Sequence, residues 1–491
     1  MANKDYETLE QRFEQRSKLD HIAQTIDWDA QLYCPENAVV ERGEQKALLN
    51  VQCHQLATLD DWADIFARLE KADDLTDWQK ANVRAAKRVW ENESLLTPEL
   101  IAESARVTTN ATAAWFKARA ENDFPAFKPH LEKLVDLQRR IAARKNKDRP
   151  YDALLDFYEA GVSEAFIDPL FDDLKAFLPD FIEKVRSRKE RAPFEREYAI
   201  EKQTAFCRDV MRMMGFDMKR GRLDIAKTAF CTTLGVDDVR IVSHFHTHEP
   251  VSAIRAVMHE TGHALYEQHL PRDFAHQPVG KQNGMAMHES QSLLMECLVC
   301  MSDEFQALLG EKMRDFYGFD ELNPENLREK NFYVAPSFIR IDADEVTYPL
   351  HVILRYETEK DLIAGRLDVA DLPEYWNGKM RAYLGITPPT DTLGCLQDIH
   401  WSCGNFGYFP DYTLGVLAAH QFFESLLKDV PDALKEIGKG NFAPAVDWLT
   451  KHIYAQGSFD SFTQTVKNVT GKPLSTDAFK RTLQKRYGEN R

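Results

Sequence analysis

Residues 251–270 read VSAIRAVMHETGHALYEQHL. Ser252 is placed to cap a helix and Pro271 to stop one, and the residues between are helix-compatible. On a helix, side chains at i and i+4 share a face, so His259 and His263 converge on one point. Two imidazoles presented in this way suit a single divalent ion. Glu260, one position on from the first histidine, lies beside that point and suits a base that takes a proton from water held there. Gly262 costs the helix about 1 kcal/mol relative to alanine. The expected reason is a neighbouring helix whose backbone passes too close for a side chain.

A metal held for catalysis usually takes three protein ligands. His269 has the spacing of a longer zinc motif, but Tyr266 stands where that motif needs glycine to end the helix. The helix should run on and turn His269 away. A carboxylate on a following helix is the better third ligand. HESQSLLMECLV at 288–299 offers Glu289, with Glu296 as the rival. An acid in so apolar a run is costly unless it is paired or ligating.

Outside this stretch the chain also reads as helical. Gly and Pro number 22 and 21 in 491 residues, too few for a turn-rich sheet fold. Apolar residues recur at helical spacing across 129–143. Thr97-Pro98-Glu99 and Asn323-Pro324-Glu325 look like helix starts, and Gly385 before Pro388-Pro389 looks like a stop. The clearest strand signal is DVRIVSHF at 238–245. Length alone sets a prior of about three domains, but no linker rich in Gly, Ser or Pro divides the chain. The expectation is therefore a mainly α protein: one large helical body over 1–491 with at most a small β-sheet. Residues 1–200 form a helical lid or flank, and 201–491 carry the chemistry.

The net charge of −16 disfavours nucleic acid as a partner. No apolar run approaches a membrane span, and the N-terminal segment lacks an apolar signal core, which points to the cytoplasm. Cys297 and Cys300 sit in an apolar helical stretch and read as core thiols. Trp28, Trp401 and Phe406 read as core or cleft-wall aromatics. The histidines of SHFHTH at 243–248 read as solvent or rim residues.

With these blocks in view, the chain resembles the carboxypeptidase Taq family, metal-dependent enzymes that remove residues from peptide C-termini. HETGH at 259–263 and HESQS at 288–292 carry the resemblance. So do IRIDADEVTYPLHVILRYETE at 339–359 and GCLQDIHWSCGNFGYFPDYTLG at 394–415. Segments near residues 26, 121 and 151 agree as well, so the likeness runs almost end to end. Two blocks depart from the family pattern. Thr228-Ala229-Phe230 stands where His-Pro-Phe is usual, and Asp238-Val239-Arg240-Ile241-Val242 lacks the usual threonine, with Ser243 next to it. These changes bear on pocket and loop packing, not on the reaction class.

The resemblance implies a neurolysin-like helical body with a long active-site groove, a homodimer, and His259, His263 and Glu289 as metal ligands. The cofactor it implies is one divalent ion per chain, Zn2+ with Co2+ as the alternative. The partners are peptides with a free C-terminus. A terminal carboxylate needs a guanidinium fork, for which Arg340 and Arg240 are the candidates, with Arg355 behind them. The plainer alternatives are structural ion pairs, Arg340 with Asp344 and Arg240 with Asp238. His400 and a tyrosine, Tyr412 or else Tyr408, suit the donors that a developing oxyanion requires. Gln397 and Asp398 are placed to orient His400. The rival activity is a helical zinc oligopeptidase that cuts internally or releases dipeptides. A relict peptide-binding site is disfavoured by the intact Glu260.

Overall fold

A computed structural model describes residues 3–187, 194–226 and 229–488. Thr228 of the first departing block lies outside them. The structure is 69% helical. The sheet among the described residues has three strands, β1 (Gly221–Ile225), β2 (Phe230–Gly235) and β3 (Asp238–Ser243). They lie in the order β1-β3-β2, with β1 parallel and β2 antiparallel to β3. The strand expected at 238–245 is thus the centre of the sheet.

The chain forms two compact units, each assembled from separated stretches. The first comprises Met1–Ser94, Arg191–Asn331 and Ala418–Leu474, the second Leu95–Glu190, Phe332–Leu417 and Ser475–Arg491. The 1–200 segment is therefore shared between both.

In the first unit the motif helix spans Pro250–Gln268 and packs against β2, β3 and the helices Ile200–Met214 and Gly284–Leu293. It starts with Pro250 in the first turn after Glu249, two residues before the expected cap at Ser252. Proline fits there because its missing N–H has no partner at that position in any case. The helix ends before His269, whose Nδ1 lies 2.7 Å from the Leu265 carbonyl oxygen. His269 thus closes the last turn. A Cβ built on Gly262 would stand 2.6 Å from Ser292 Cα and 2.7 Å from the Gln291 carbonyl oxygen. The expected close approach of a neighbouring helix is present, and it sets the helix that carries Glu289 against the motif helix.

In the second unit the helix Tyr348–Ala364 is central. It packs against Phe124–Lys145, Pro150–Tyr158, Glu164–Val185 and Leu372–Leu384. Leu131, Leu134, Val135, Ile141 and Ala142, the apolar face expected for 129–143, are buried. Thr97 caps its helix by accepting from Leu100 N, and Gly385 ends another at φ 69°.

Candidate active site

The first unit gathers the metal-type donors. His259 Nε2 lies 3.9 Å and His263 Nε2 3.4 Å from Glu289 Oε2. The three donor atoms lie within 4.8 Å of one another. Ligands about 2.1 Å from a tetrahedral ion sit roughly 3.4 Å apart, so the cluster is near the spacing a divalent cation imposes. Both imidazoles are anchored through their other nitrogen. His259 Nδ1 lies 3.0 Å from Glu296 Oε2, and His263 Nδ1 lies 3.0 Å from the His288 carbonyl oxygen. Anchoring of this kind sets the tautomer and aims Nε2. The two-histidine, one-carboxylate set therefore fits a divalent ion.

Glu296 sits on a π-helical turn, Leu294–Val299, and also accepts from Arg255 Nε at 3.2 Å and NH2 at 2.9 Å. The rival third carboxylate is thus behind His259 rather than beside Glu289. The His288 ring stacks on His263 with centroids 4.3 Å apart. Its Nε2 lies 3.0 Å from Glu267 Oε1, while Thr233 on β2 donates to Glu267 Oε2 at 3.0 Å.

Burial pushes the Glu260 carboxyl up to about 7, with Glu289 and Glu296 adding to the rise against an opposing pull from His259. Burial alone would lower His259. Glu289, Glu296 and Glu260 outweigh it and raise the ring to about 10. His263 falls to about 4 through burial and its neighbour His288. Burial works against the charge of Glu289, but His259 and His263 hold its carboxyl below the usual range. Glu296 is balanced by Arg255, whereas Glu260 and Glu289 share only the imidazoles for positive charge, a setting that suits a divalent cation.

Arg240 is in the same unit, on β3. Its guanidinium already grips Asp238 bidentately at 2.8 Å and 2.8 Å and lies 4.1 Å over Trp28. Ser243, next to the missing threonine, is buried and its hydroxyl meets no partner. His246 and His248 are exposed.

The second unit holds the remaining candidates. Arg340 is 5% exposed. Its Nε donates to Asp398 Oδ1 at 3.0 Å and its NH1 to Tyr348 OH at 2.9 Å. Its carboxylate partner is Asp398, not Asp344, which instead accepts from the backbone N–H groups of Ala335, Val346 and Thr347. Arg355 is wholly buried and donates through Nε to Asp398 Oδ2 at 2.6 Å and through NH2 to Gln397 Oε1 at 2.7 Å. Gln397 Oε1 also accepts from Arg340 N at 2.8 Å, and its Nε2 donates to the carbonyls of Phe338 and Gly394, each at 3.0 Å.

His400 Nε2 lies 3.3 Å from Tyr412 OH, and the Tyr408 ring packs 5.3 Å from that of Tyr412. Burial lowers His400 to about 4 against the opposing pull of Asp398, so the ring is neutral near pH 7. Asp398 Oδ1 is 4.0 Å from His400 Nδ1, too far for a hydrogen bond. Asp398, expected to orient His400, is instead the hub of two arginines. Glu359, one helical turn beyond Arg355 and outside the sequence reading, is fully buried.

A helical scaffold carrying a His-Glu-x-x-His helix and a glutamate on the next helix defines a metallopeptidase. Residues 8–487 match the model of the carboxypeptidase Taq (M32) metallopeptidases. Carboxypeptidase 1 of Bacillus subtilis (strain 168) is 32% identical over 473 residues, 94% of each chain. Among solved structures, Trypanosoma cruzi metallocarboxypeptidase 1 superposes with a TM-score of 0.94 at 34% identity, covering 99% of this chain and 100% of that one. The M32 carboxypeptidase from Deinococcus radiodurans R1 gives 0.95 at 30% identity, covering 99% of each chain. The chain belongs to the carboxypeptidase Taq (M32) metallopeptidase family and is a metal-dependent carboxypeptidase.

Proposed function

We propose that this enzyme removes residues one at a time from peptides with a free C-terminus, using Zn2+ held by His259, His263 and Glu289, with Co2+ as the alternative ion. The convergence of those three donors beside Glu260 carries the reading. The ion, when bound, polarises the scissile carbonyl and lowers the pKa of water. Glu260 takes the proton of the attacking water and returns it to the leaving amine. Its carboxyl, raised toward neutrality by burial, is suited to both halves of that transfer. His400 and Tyr412, or Tyr408 in its place, donate to the carbonyl oxygen as negative charge develops there. Their support is the neutral His400 ring at hydrogen-bond range of Tyr412. Arg340, with Gln397 bound at its backbone N–H, is assigned to the terminal carboxylate, and Arg240 is the second candidate. Asp398 and Tyr348 leave Arg340 with N–H groups to spare, since a guanidinium offers five.

Residues 1–491 are read as one metallocarboxypeptidase domain, with 1–200 flanking and 201–491 bearing the chemistry. The family match over 8–487 supports the single domain. A cytoplasmic setting is supported by eight cysteines, all free thiols. Among the described residues no helix is long and apolar enough to cross a membrane. The homodimer carries over from the family resemblance, and sedimentation of the purified enzyme tests it.

A mixed peptide library incubated with and without a chelator tests the activity. Stepwise loss of C-terminal residues is expected only with metal, and peptides amidated at the C-terminus should resist. Internal cuts, dipeptide release, or equal rates on amidated peptides would overturn the assignment in favour of an oligopeptidase.

A further inference from the structure

The helix Tyr348–Ala364 presents two buried charges one turn apart, and both engage the segment that carries His400. Arg355 holds its leading side through Asp398 and Gln397. Glu359 holds its trailing side. One carboxylate oxygen accepts from Trp401 Nε1 at 2.8 Å. The other accepts from Gly407 N at 2.8 Å and Tyr151 OH at 2.8 Å. Gly407 has φ +90°, and a Cβ there would fall 2.7 Å from the Leu154 backbone carbon. Only glycine lets that N–H reach the carboxylate while the Pro150–Tyr158 helix packs on top. Trp401 is bonded in sequence to His400, and Gly407 precedes Tyr408. The loop between them is thus pinned at both ends by a single side chain. The groups facing Glu359 are Tyr151 and Tyr158 from the Pro150–Tyr158 helix and Arg355 from its own.

We propose that Glu359 is a positioning residue for catalysis, holding His400 and Tyr408 in register by bridging Trp401 and Gly407. This rests on the assignment of His400 and the tyrosines to oxyanion stabilisation. Interior hydrogen bonding could be met in many ways, but here two of the three donors flank proposed catalytic groups, and those two, Trp401 Nε1 and Gly407 N, can only donate. Glutamine in its place would keep its amide oxygen on the two-donor side, Gly407 N and Tyr151 OH, and turn its N–H groups toward Trp401 Nε1, setting donor against donor.

The test is steady-state kinetics on the metal-loaded enzyme. Glu359→Gln is expected to lower kcat by roughly 10- to 100-fold, the scale of an ångström-level misplacement, with KM within about threefold (roughly 0.65 kcal/mol) and metal content unchanged. Trp401→Phe removes one donor and should lower kcat less. In the double variant Glu359→Gln, Trp401→Phe the donor clash is gone, and kcat should recover above that of Glu359→Gln. Wild-type kcat in folded Glu359→Gln, or losses in the double variant that simply multiply, would overturn the proposal. If Glu359→Gln fails to fold, Trp401→Phe decides: unchanged kcat overturns it. His400→Ala is measured alongside. If that variant keeps its rate, the oxyanion assignment fails. If it loses its rate while Glu359→Gln does not, only the positioning role fails.

Discussion

Glu296 Oε2 stands 3.0 Å from Nδ1 of His259, on the opposite edge of the ring from the nitrogen that faces Glu289. One carboxylate of the helical run after residue 288 thus faces both imidazole Nε2 atoms, and the next one anchors the far side of the His259 ring, where it would steer a proposed ligand. Partners of this kind are worth 10- to 100-fold in metal affinity. Glu296→Ala is therefore expected to weaken metal binding by that factor in a chelator competition while keeping the ion bound at saturation. Unchanged affinity would reduce Glu296 to a counter-ion for Arg255.

Glu260 and Glu289, the proposed base and the proposed third ligand, should separate cleanly. Glu260→Gln keeps all three donors and should bind a full complement of metal while turnover falls by about 10²- to 10⁴-fold, the usual contribution of a general base. Glu289→Ala should lose metal instead. Elemental analysis of the two purified variants, set beside their rates, gives the comparison. A full metal complement in Glu289→Ala would remove it from the ligand set.

Gly262 gives a prediction opposite to helix propensity. Alanine is better than glycine in a helix by about 1 kcal/mol, yet its Cβ would meet Ser292 Cα at 2.6 Å and the Gln291 carbonyl at 2.7 Å. Those atoms are backbone and cannot rotate away. Overpacking of this sort costs about 1–3 kcal/mol, so Gly262→Ala should lower the thermal midpoint and, by moving the Glu289 helix, the metal affinity. A raised midpoint would show that the two helices separate readily.

How much of this was legible beforehand follows the range over which a sequence pattern carries information. The His259–Glu260–His263 face and the caps at Thr97 and Gly385 depend on contacts within a turn or two and are readable. The close approach at Gly262 is to another helix, and only the cost of a glycine inside a helix signals it. The motif helix starts three residues ahead of the expected position, with its cap at Glu249 rather than Ser252, because Ser252 is a good cap in isolation whereas Pro250 fits the first turn. Partners between helices were harder. Arg340 has an acid four residues away in Asp344, but the fold closes it onto Asp398. Asp344 is used up by a turn. Glu359 is one of three charges in LRYETE, and nothing in periodicity shows that its helix face is turned wholly inward. The division into two units, each built from three separated stretches, leaves no linker to find.

Glu359 also makes stability depend on pH. Burial raises its carboxyl from the ordinary 4.5 to about 7, even against donation from Gly407, Trp401 and Tyr151. Between those values the folded chain binds a proton that the unfolded chain has released. The stabilisation from this group is thus complete below about pH 4.5 and is lost as pH rises through about 7, a total on the order of 3 kcal/mol. Asp398 runs the other way: Arg355 and Arg340 hold its carboxyl well below the usual range despite burial, so its contribution persists at neutral pH and fades only as pH falls below about 4. The two windows barely overlap, and denaturant unfolding between pH 5 and 7.5 isolates the first. Over that range the stability of the wild type relative to Glu359→Gln should fall by about 2 kcal/mol, the part of the total that lies inside the window, because glutamine has no proton to release. A difference that stays flat with pH would mean that Glu359 is already ionised at pH 5, its three donors outweighing its burial.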